Sequence, residues 1–556
     1  MIHPCIQRGL AMDGVSKPNN IYDWTKHLWC EILFPTCDTQ SPEKGLLSHR
    51  LILCILALLL LFSRLDFSLF EPDETRYAEI PREMLANNEW LVPLLAGEPY
   101  LDKPPLLYWL TMFSYQTFGV GVWQARLVPA LALLLGLILT YELGRRIVGS
   151  REAFAGTLFL LLCPGFIIMG KLLVLDGLLA MCILGTLFAG VLAVRKSEFQ
   201  MGWWIASGVF AALGVITKGP IAIVLTAPCF YLITRIDGRF SKPTLKAWGI
   251  WFGLSSALFL PWFIFVAIRR PEFLSHFVWE HHVMRFLEPF DHQRGVFFYI
   301  PVLLGGMLPL LFVLWPWIKS MQSVSLEQRA TRSKETGFLL LAGFWCLFFF
   351  SLSGCKLPTY ILPAFPPLAL MFGAFLVHNH YLQKKSTLVI AGGLFVLLGF
   401  TEGVALPWYA DFRSPLIAKN IIRELCTDEN QSVVCYPREC NAVAFYLGRE
   451  DLKNYRSKEF DEFRDVLLSR KKTVVLCTHR HALQGLKQLL PDELEVKQEY
   501  RLNLKEPSFL PKDLAKRAPK LLGETALGLC DIAVIEHRVG STIRTTSFKP
   551  KNEGKR

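Results

Sequence analysis

The sequence predicts an all-α polytopic membrane protein with a small soluble α/β domain towards its C-terminal end. Three observations lead there. Apolar residues gather in runs of about twenty, the length that crosses a bilayer as a helix. Hydrophobic residues make up 52% of the 556-residue chain and charged residues only 19%, whereas a soluble chain carries roughly a quarter charged residues. Mean hydropathy is accordingly positive, at +0.35. Near residue 407 the long apolar runs stop, and short β-rich segments begin to alternate with helical patterns. This composition excludes a soluble enzyme, a fibrous protein and a disordered chain.

The elements follow in order. Residues 1–45 are polar and mixed and read as a poorly ordered cytoplasmic tail. The region 46–407 reads as the transmembrane domain, with apolar spans near 46–67, 122–143, 151–170, 171–194, 202–217, 219–235, 246–268, 296–318, 337–354, 357–379 and 386–407. That is about eleven helices, with room for thirteen. Placing the N-terminus in the cytoplasm puts fifteen basic residues into short inner connections, Arg145, Arg146, Lys384 and Lys385 among them. About eleven basic residues fall on the longer outer connections, as the positive-inside rule asks. The net charge of +12 then reflects cytoplasmic loops facing anionic lipid rather than nucleic acid.

Two outer loops are long, about 68–121 and 269–295, and long loops are often functional. Residues 73–86 read as an amphipathic helix with Asp73 as its N-cap. Residues 104–118 read as a helix opened by Pro104, with an apolar face suited to the membrane surface. Residues 408–540 read as a small α/β domain outside the membrane, with strands at Ser432–Tyr436, Thr473–Cys477 and Asp531–Glu536 and a helix near 481–490. Residues 541–556 form a basic, frayed tail. Cys435 and Cys440 either pair, in an oxidising compartment, or stay free.

Charged groups beside membrane spans are functional candidates by default. The topology places Asp73, Glu74, Arg76, Asp102, Lys103, Asp176, His281, His282, Lys356 and Tyr360 on one outer face. In Asp73-Glu74-Thr75-Arg76, two acids beside an arginine suit a sugar hydroxyl, a metal or internal pairing; the alternative is a solvated surface helix. In the run Tyr100 to Leu106, two prolines fix Asp102 and Lys103, a hard oxygen donor and a phosphate-binding point charge, unless they form a plain surface pair. Asp176 lies between two apolar spans, where it meets water or a cation, or simply makes an Asp-Gly turn. Glu280-His281-His282 offers imidazole for a zinc-like set completed by a distant carboxylate, or is an aromatic interfacial segment. Lys356 and Tyr360 end a proline-kinked helix, as site residues or as interface anchors.

Taken together, the run EPDETRYAEIPREML, the later WLVP, YLDKPPLLYWL and the downstream H-x-x-R-F and K-L-P-x-Y-I-L-P resemble the bacterial lipid A aminoarabinose transferases. These are GT-C membrane glycosyltransferases of the protein O-mannosyltransferase-like class. The resemblance covers about 46–410. It implies a polytopic enzyme of the bacterial inner membrane whose active site faces the periplasm. Such an enzyme moves a sugar from a polyprenyl-phosphate donor to a lipid A-like, glycan or protein acceptor. It further implies catalytic roles for Asp73, Glu74 and Asp176, donor-phosphate binding by Arg76, Lys103, Lys356, Tyr360 and Tyr100, and a divalent metal, zinc by type, on Asp102 and His282. Family members commonly carry Glu where this chain has Asp102. The competing reading of the same charges is a transporter or flippase, which would place ionisable groups near mid-membrane.

Overall fold

The computed structural model describes residues 42–288, 292–322, 333–413, 424–426, 431–437, 440–449, 451–478, 482–500 and 531–538. The expected tail 541–556 and most of the expected tail 1–45 lie outside these residues.

A helix apolar on all sides must be buried on all sides. Leu175–Val194, whose only charged residue is Asp176, is enclosed along its whole length and forms the axis of a helical bundle. Val122–Ile147 and Met201–Lys218 pack directly against it, and Leu245–Arg269 packs on the latter. These four, with Lys334–Leu352, Pro358–His378 and Lys385–Asp411, are seven helices long and apolar enough to cross a membrane. Two further apolar runs form bent helix pairs: Ser150–Leu161 with Pro164–Lys171, bent by 64°, and Val296–Gly306 with Leu310–Ser320, bent by 109°. The shorter apolar helices Leu46–Leu61 and Ile221–Ile236 occupy the two remaining expected positions. The protein is thus a multi-span helical membrane protein: of the eleven runs read from hydropathy, seven are single helices of crossing length, two are bent pairs and two are shorter apolar helices. The breaks were not foreseen, because a window of mean hydropathy has no direction in it.

Two helices meet through glycine. A Cβ placed on Gly373 would sit 2.2 Å from the backbone nitrogen of Gly156. Only hydrogen on both sides permits Ser150–Leu161 and Phe365–His378 to pack backbone against backbone, the small-residue contact typical of membrane helices.

The first long loop lies over one end of the bundle. Its helix runs from Asp73 to Ala86, with the bounds read from sequence, but it is not a solvated surface helix: Glu74, Thr75, Tyr77 to Glu83 and Met84 are buried. Nor is Asp73 its N-cap. Pro72 holds that position without a side-chain cap, and Asp73 is in the first turn. The second loop helix starts at Leu106, not Pro104, and packs Leu107, Tyr108, Met112 and Tyr115 into the protein, leaving Leu110, Phe113 and Phe118 outward. Trp262 Nε1 donates to Leu91 O at 2.9 Å, and Arg269 pairs with Glu89 at 2.9 Å, fastening this loop to the Leu245–Arg269 helix.

Beyond the spans lies a five-stranded mixed sheet, in the order Lys453–Asn454, Ser432–Tyr436, Lys472–Cys477, Asp531–His537, Leu494–Tyr500. The first three strands are parallel, and the Asp531–His537 strand runs antiparallel to both of its neighbours. Leu494–Tyr500 escaped the sequence reading because its burial does not alternate and Glu495, Lys497 and Glu499 make it polar. The expected helix near 481–490 is present as Ala482–Leu489. No disulfide joins Cys435 to Cys440.

Candidate active site

A cavity of about 410 Å³ opens at the end of the bundle beneath the first loop. Lys103, Lys218 and Arg285 bring three cations to it; Asp176, His281, His282 and Tyr360 add polar groups; Ile221, Val224, Phe286, Phe349 and Phe350 make an apolar wall. Of the groups that the topology places on one face, Lys103, Asp176, His281, His282 and Tyr360 meet around this cavity.

Asp176 sits in the first turn of the central helix, where the helix dipole favours a carboxylate. Lys218 closes the neighbouring helix and donates to Asp176 Oδ1 at 2.7 Å. The same ammonium lies 4.6 Å from the centre of the Tyr360 ring, a cation–π contact. Lys218 was missed in the sequence, although a lone Lys-Gly-Pro step between two apolar spans on the outer side is the same signal that singled out Asp176.

Burial holds the Lys103 ammonium down at about 8, with Lys218, Arg285 and Arg76 pushing the same way and Asp102 opposing them. Crowding cations against one another in a low-dielectric pocket is costly unless an anion joins them. Arg76 leans over the Tyr100 ring, 6.0 Å from its centre, and lies 3.8 Å from Asp73. Neither Arg76, Asp73 nor Tyr100 lines the cavity itself. Burial raises the Tyr100 hydroxyl, so that it stays protonated.

The metal-type cluster differs from the one expected. Asp102 Oδ1 lies 2.9 Å from His276 Nε2 and 3.4 Å from His281 Nε2, and ligand atoms of these three residues all fall within 4.8 Å of one another. His282 is not among them. Its Nδ1 faces Phe277 O at 2.6 Å and its Nε2 faces Lys218 O at 3.3 Å. The reason is local backbone geometry. Ser275–Met284 is a π-helix, in which residues five apart stack one turn above the other. His276 therefore meets His281, and Phe277 meets His282. A reader expecting α-helical spacing would not pair residues five apart.

One carboxylate and two imidazoles form a zinc-type donor set. Its protonation suits that use. Burial pushes His281 down to about 4, helped by Lys103, so its imidazole is neutral at physiological pH. Burial raises the Asp102 carboxyl, but His281, His276 and Lys103 outweigh this and hold it below its ordinary value.

Two further expectations need correction. Glu74 is a structural anchor rather than a reacting group. Its carboxylate takes Arg126 Nε at 3.0 Å and Nη2 at 2.7 Å, with backbone donors from Phe70 at 3.0 Å and Leu173 at 2.6 Å. Both partners of this ion pair are sealed from solvent. Lys356 does not line the cavity: its ammonium donates to the carbonyls of Ser353 and, at 3.2 Å, Arg294. A loop that ends a span leaves carbonyls unpaired, and Lys356 satisfies them. Of the ten residues expected in the site, Lys103, Asp176, His282 and Tyr360 line the cavity; Asp102 and Arg76 act on the Lys103 charge, and Asp73 and Tyr100 contact Arg76.

Comparison with known proteins adds three findings. Residues 102–265 match the dolichyl-phosphate-mannose-protein mannosyltransferase family. An undecaprenyl phosphate-alpha-4-amino-4-deoxy-L-arabinose arabinosyl transferase of Sodalis glossinidius is 32% identical over 67% of this chain and 68% of its own length. Proteins of the same name from Edwardsiella ictaluri (32% identical over 61% of this chain) and Proteus mirabilis (31% over 61%) match as well, and the chain spans 62% and 61% of their lengths. The crystal structure of ArnT from Cupriavidus metallidurans bound to undecaprenyl phosphate shares the fold, with a TM-score of 0.66 at 22% identity, covering 81% of this chain and 96% of that one.

Proposed function

The chain belongs to the undecaprenyl phosphate-4-amino-4-deoxy-L-arabinose arabinosyl transferase family, and from that membership we propose that it is a membrane glycosyltransferase. It takes a pentose of the aminoarabinose type from a polyprenyl phosphate and transfers it to a lipid A-like acceptor. The site faces the periplasm of a bacterial inner membrane, residues 46–407 form the catalytic membrane domain, and 408–540 form a periplasmic α/β domain.

One observation carries the reading. Lys103, Lys218 and Arg285 converge on a cavity whose other wall is apolar. That combination fits a ligand with an anionic head and a hydrocarbon tail. A transporter would place its ionisable groups near the middle of the bundle, whereas these gather at one end.

The chemistry follows from the charges. In the transfer, an acceptor oxygen bonds to the anomeric carbon while the bond from that carbon to the donor phosphate oxygen breaks. The departing phosphate needs no proton, because it carries its charge as a stable anion. The protein's main task is to hold that growing charge. Lys103, Lys218 and Arg285 are already in place to do so, in a partly dry site where each contact counts for more than in water. Asp176 and Tyr360 fix the Lys218 ammonium in position. Arg76 and Asp73, at the rim, orient the sugar and the incoming acceptor. Asp102, His276 and His281 would hold a divalent metal of the zinc type, which when bound supplies further positive charge beside the phosphate. A lipid A phosphate attacks as an anion and requires no strong base; a hydroxyl acceptor would give its proton to Asp73.

The test is reconstitution of the purified protein with a polyprenyl-phosphate aminopentose and lipid A, read by mass spectrometry. Transfer is expected from the wild type and absent from Lys103→Ala and Asp73→Asn, which still insert. Movement of the intact donor across the bilayer, with its glycosidic bond uncut, would overturn the proposal.

A further inference from the structure

The first-loop helix is held from two sides. Its inner side rests on the bundle through the Glu74–Arg126 pair. Its outer side touches the helix Asn441–Leu447, which belongs to the C-terminal sheet region more than 350 residues later. The contact is specific. Glu71 Oε1 accepts from the backbone nitrogen of Ala442 at 2.6 Å and lies 3.6 Å from Cys440 Sγ. Glu71 Oε2 accepts from Thr75 Oγ1 at 2.7 Å, inside the first turn that carries Asp73 and Arg76. Leu69 donates its backbone N–H to the Tyr446 hydroxyl at 3.3 Å. Phe445 packs in the same apolar cluster as Tyr77, Ala78 and Ile80, with its ring 6.4 Å from that of Tyr115. One helical turn further on, Arg82 reaches Arg449 O at 3.4 Å.

The chemistry of this joint is uneven. The Ala442 amide is in the first turn of its helix, where backbone N–H groups have no partner within the helix. Glu71 supplies one, and a carboxylate at a helix N-terminus is also favoured by the dipole. The same carboxylate also accepts from the Thr75 hydroxyl in the first turn of the Asp73–Ala86 helix. A single side chain thus joins two helix beginnings that belong to different parts of the molecule.

We propose that Glu71 is a positioning residue: through it the C-terminal unit sets the placement of Asp73 and Arg76 at the rim of the cavity. The proposal rests on the glycosyltransferase reading for its functional consequence, though not for the mechanical coupling itself. Displacement of a positioning group by about 1 Å can lower a rate by about a hundredfold, so a joint of this kind governs turnover without touching substrate. The C-terminal unit is then part of the working enzyme and not an appended domain.

The experiment uses the full chain in lipid nanodiscs, with Glu71→Ala, Glu71→Gln and, from the other side of the joint, Phe445→Ala. Two readouts are taken: backbone hydrogen exchange over 73–86, and kcat and KM for a polyprenyl-phosphate aminopentose, normalised to folded protein. Glu71→Ala and Phe445→Ala are expected to speed exchange over 73–77 and to lower kcat by about tenfold or more, with donor KM within about twofold. Glu71→Gln, which keeps an acceptor for Ala442, is expected to restore most of both. Unchanged exchange and wild-type kcat in Glu71→Ala would overturn the proposal. So would a loss that appears only as a lower yield of folded protein. If the wild type transfers no sugar at all, the glycosyltransferase reading fails, and the exchange measurement alone decides the coupling.

Discussion

The rings of His276 and His281 stand 4.6 Å apart, centre to centre, and both reach the carboxylate of Asp102. They are five positions apart, a spacing that a π-helical turn brings together. His282, next in sequence, is rotated away, with Nδ1 against Phe277 O and Nε2 facing the carbonyl of Lys218. Adjacent histidines therefore do different work.

That division predicts the metal content of variants. His276→Ala and His281→Ala are each expected to lower bound zinc in the purified protein by about tenfold or more, as loss of a ligand or its close support does. His282→Ala is expected to keep its metal. Elemental analysis after dialysis against a weak chelator decides it. Retention by the first two variants with loss in the third would restore the assignment made from sequence.

The Glu74–Arg126 pair is sealed within the protein, with side chains 2% and 0% exposed. Breaking a buried pair by removing one partner leaves an uncompensated charge and costs about 3–5 kcal/mol. Arg126→Met is therefore expected to lower the detergent-unfolding midpoint sharply. The double variant Glu74→Gln with Arg126→Met is expected to recover part of the loss, because no charge is stranded. Equal stability of the single variant and the wild type would show the pair to be dispensable.

Gly219 has φ of +91°, and a Cβ on it would sit 2.6 Å from His282 Nε2. Both the backbone and the contact exclude a side chain. Gly219→Ala is expected to cost about 1–3 kcal/mol from the backbone strain alone, and to displace His282 from the end of the Met201–Lys218 helix. Thermal unfolding measures the first effect. Reduced transfer per folded molecule measures the second, and a neutral result in both would contradict the packing described.

Lys218 and Lys356 separate function from structure. Lys218→Ala removes one of three cations that face the cavity and is expected to lower kcat/KM for the donor by about a hundredfold, as loss of a single charge-stabilising donor does. Lys356→Met strands the carbonyls of Ser353 and Arg294. It is expected to lower Tm while leaving the donor KM within about twofold. Steady-state kinetics beside a melting curve distinguishes the two, and a donor-binding defect confined to Lys356→Met would reverse the assignment.

Much of this molecule could be read before folding. Each apolar run became a helix or a bent pair, because crossing hydrocarbon leaves the backbone no alternative to internal hydrogen bonds. The end of the bundle that carries Lys103, Asp176 and Tyr360 followed from charge and alternation alone. What escaped was contact between distant residues: the pairing of Glu74 with Arg126, 52 positions apart, and of Lys218 with Asp176, 42 positions apart. Glu74 looked reactive because a sequence shows a charge without showing its partner.

The sequence by itself determined a membrane-spanning helical protein, the convergence of Lys103, Asp176 and Tyr360 at one end of the bundle, and the bounds of the Asp73–Ala86 helix. These depend on composition and short-range periodicity, which are properties of the chain. Tertiary structure alone decided which charges remain available. It sealed Glu74 against Arg126, turned Lys356 onto carbonyls, and chose His276 over His282 beside Asp102. It also brought Glu71 to the Ala442 amide. A buried charge must find a partner wherever the fold places one, and no local pattern encodes that meeting.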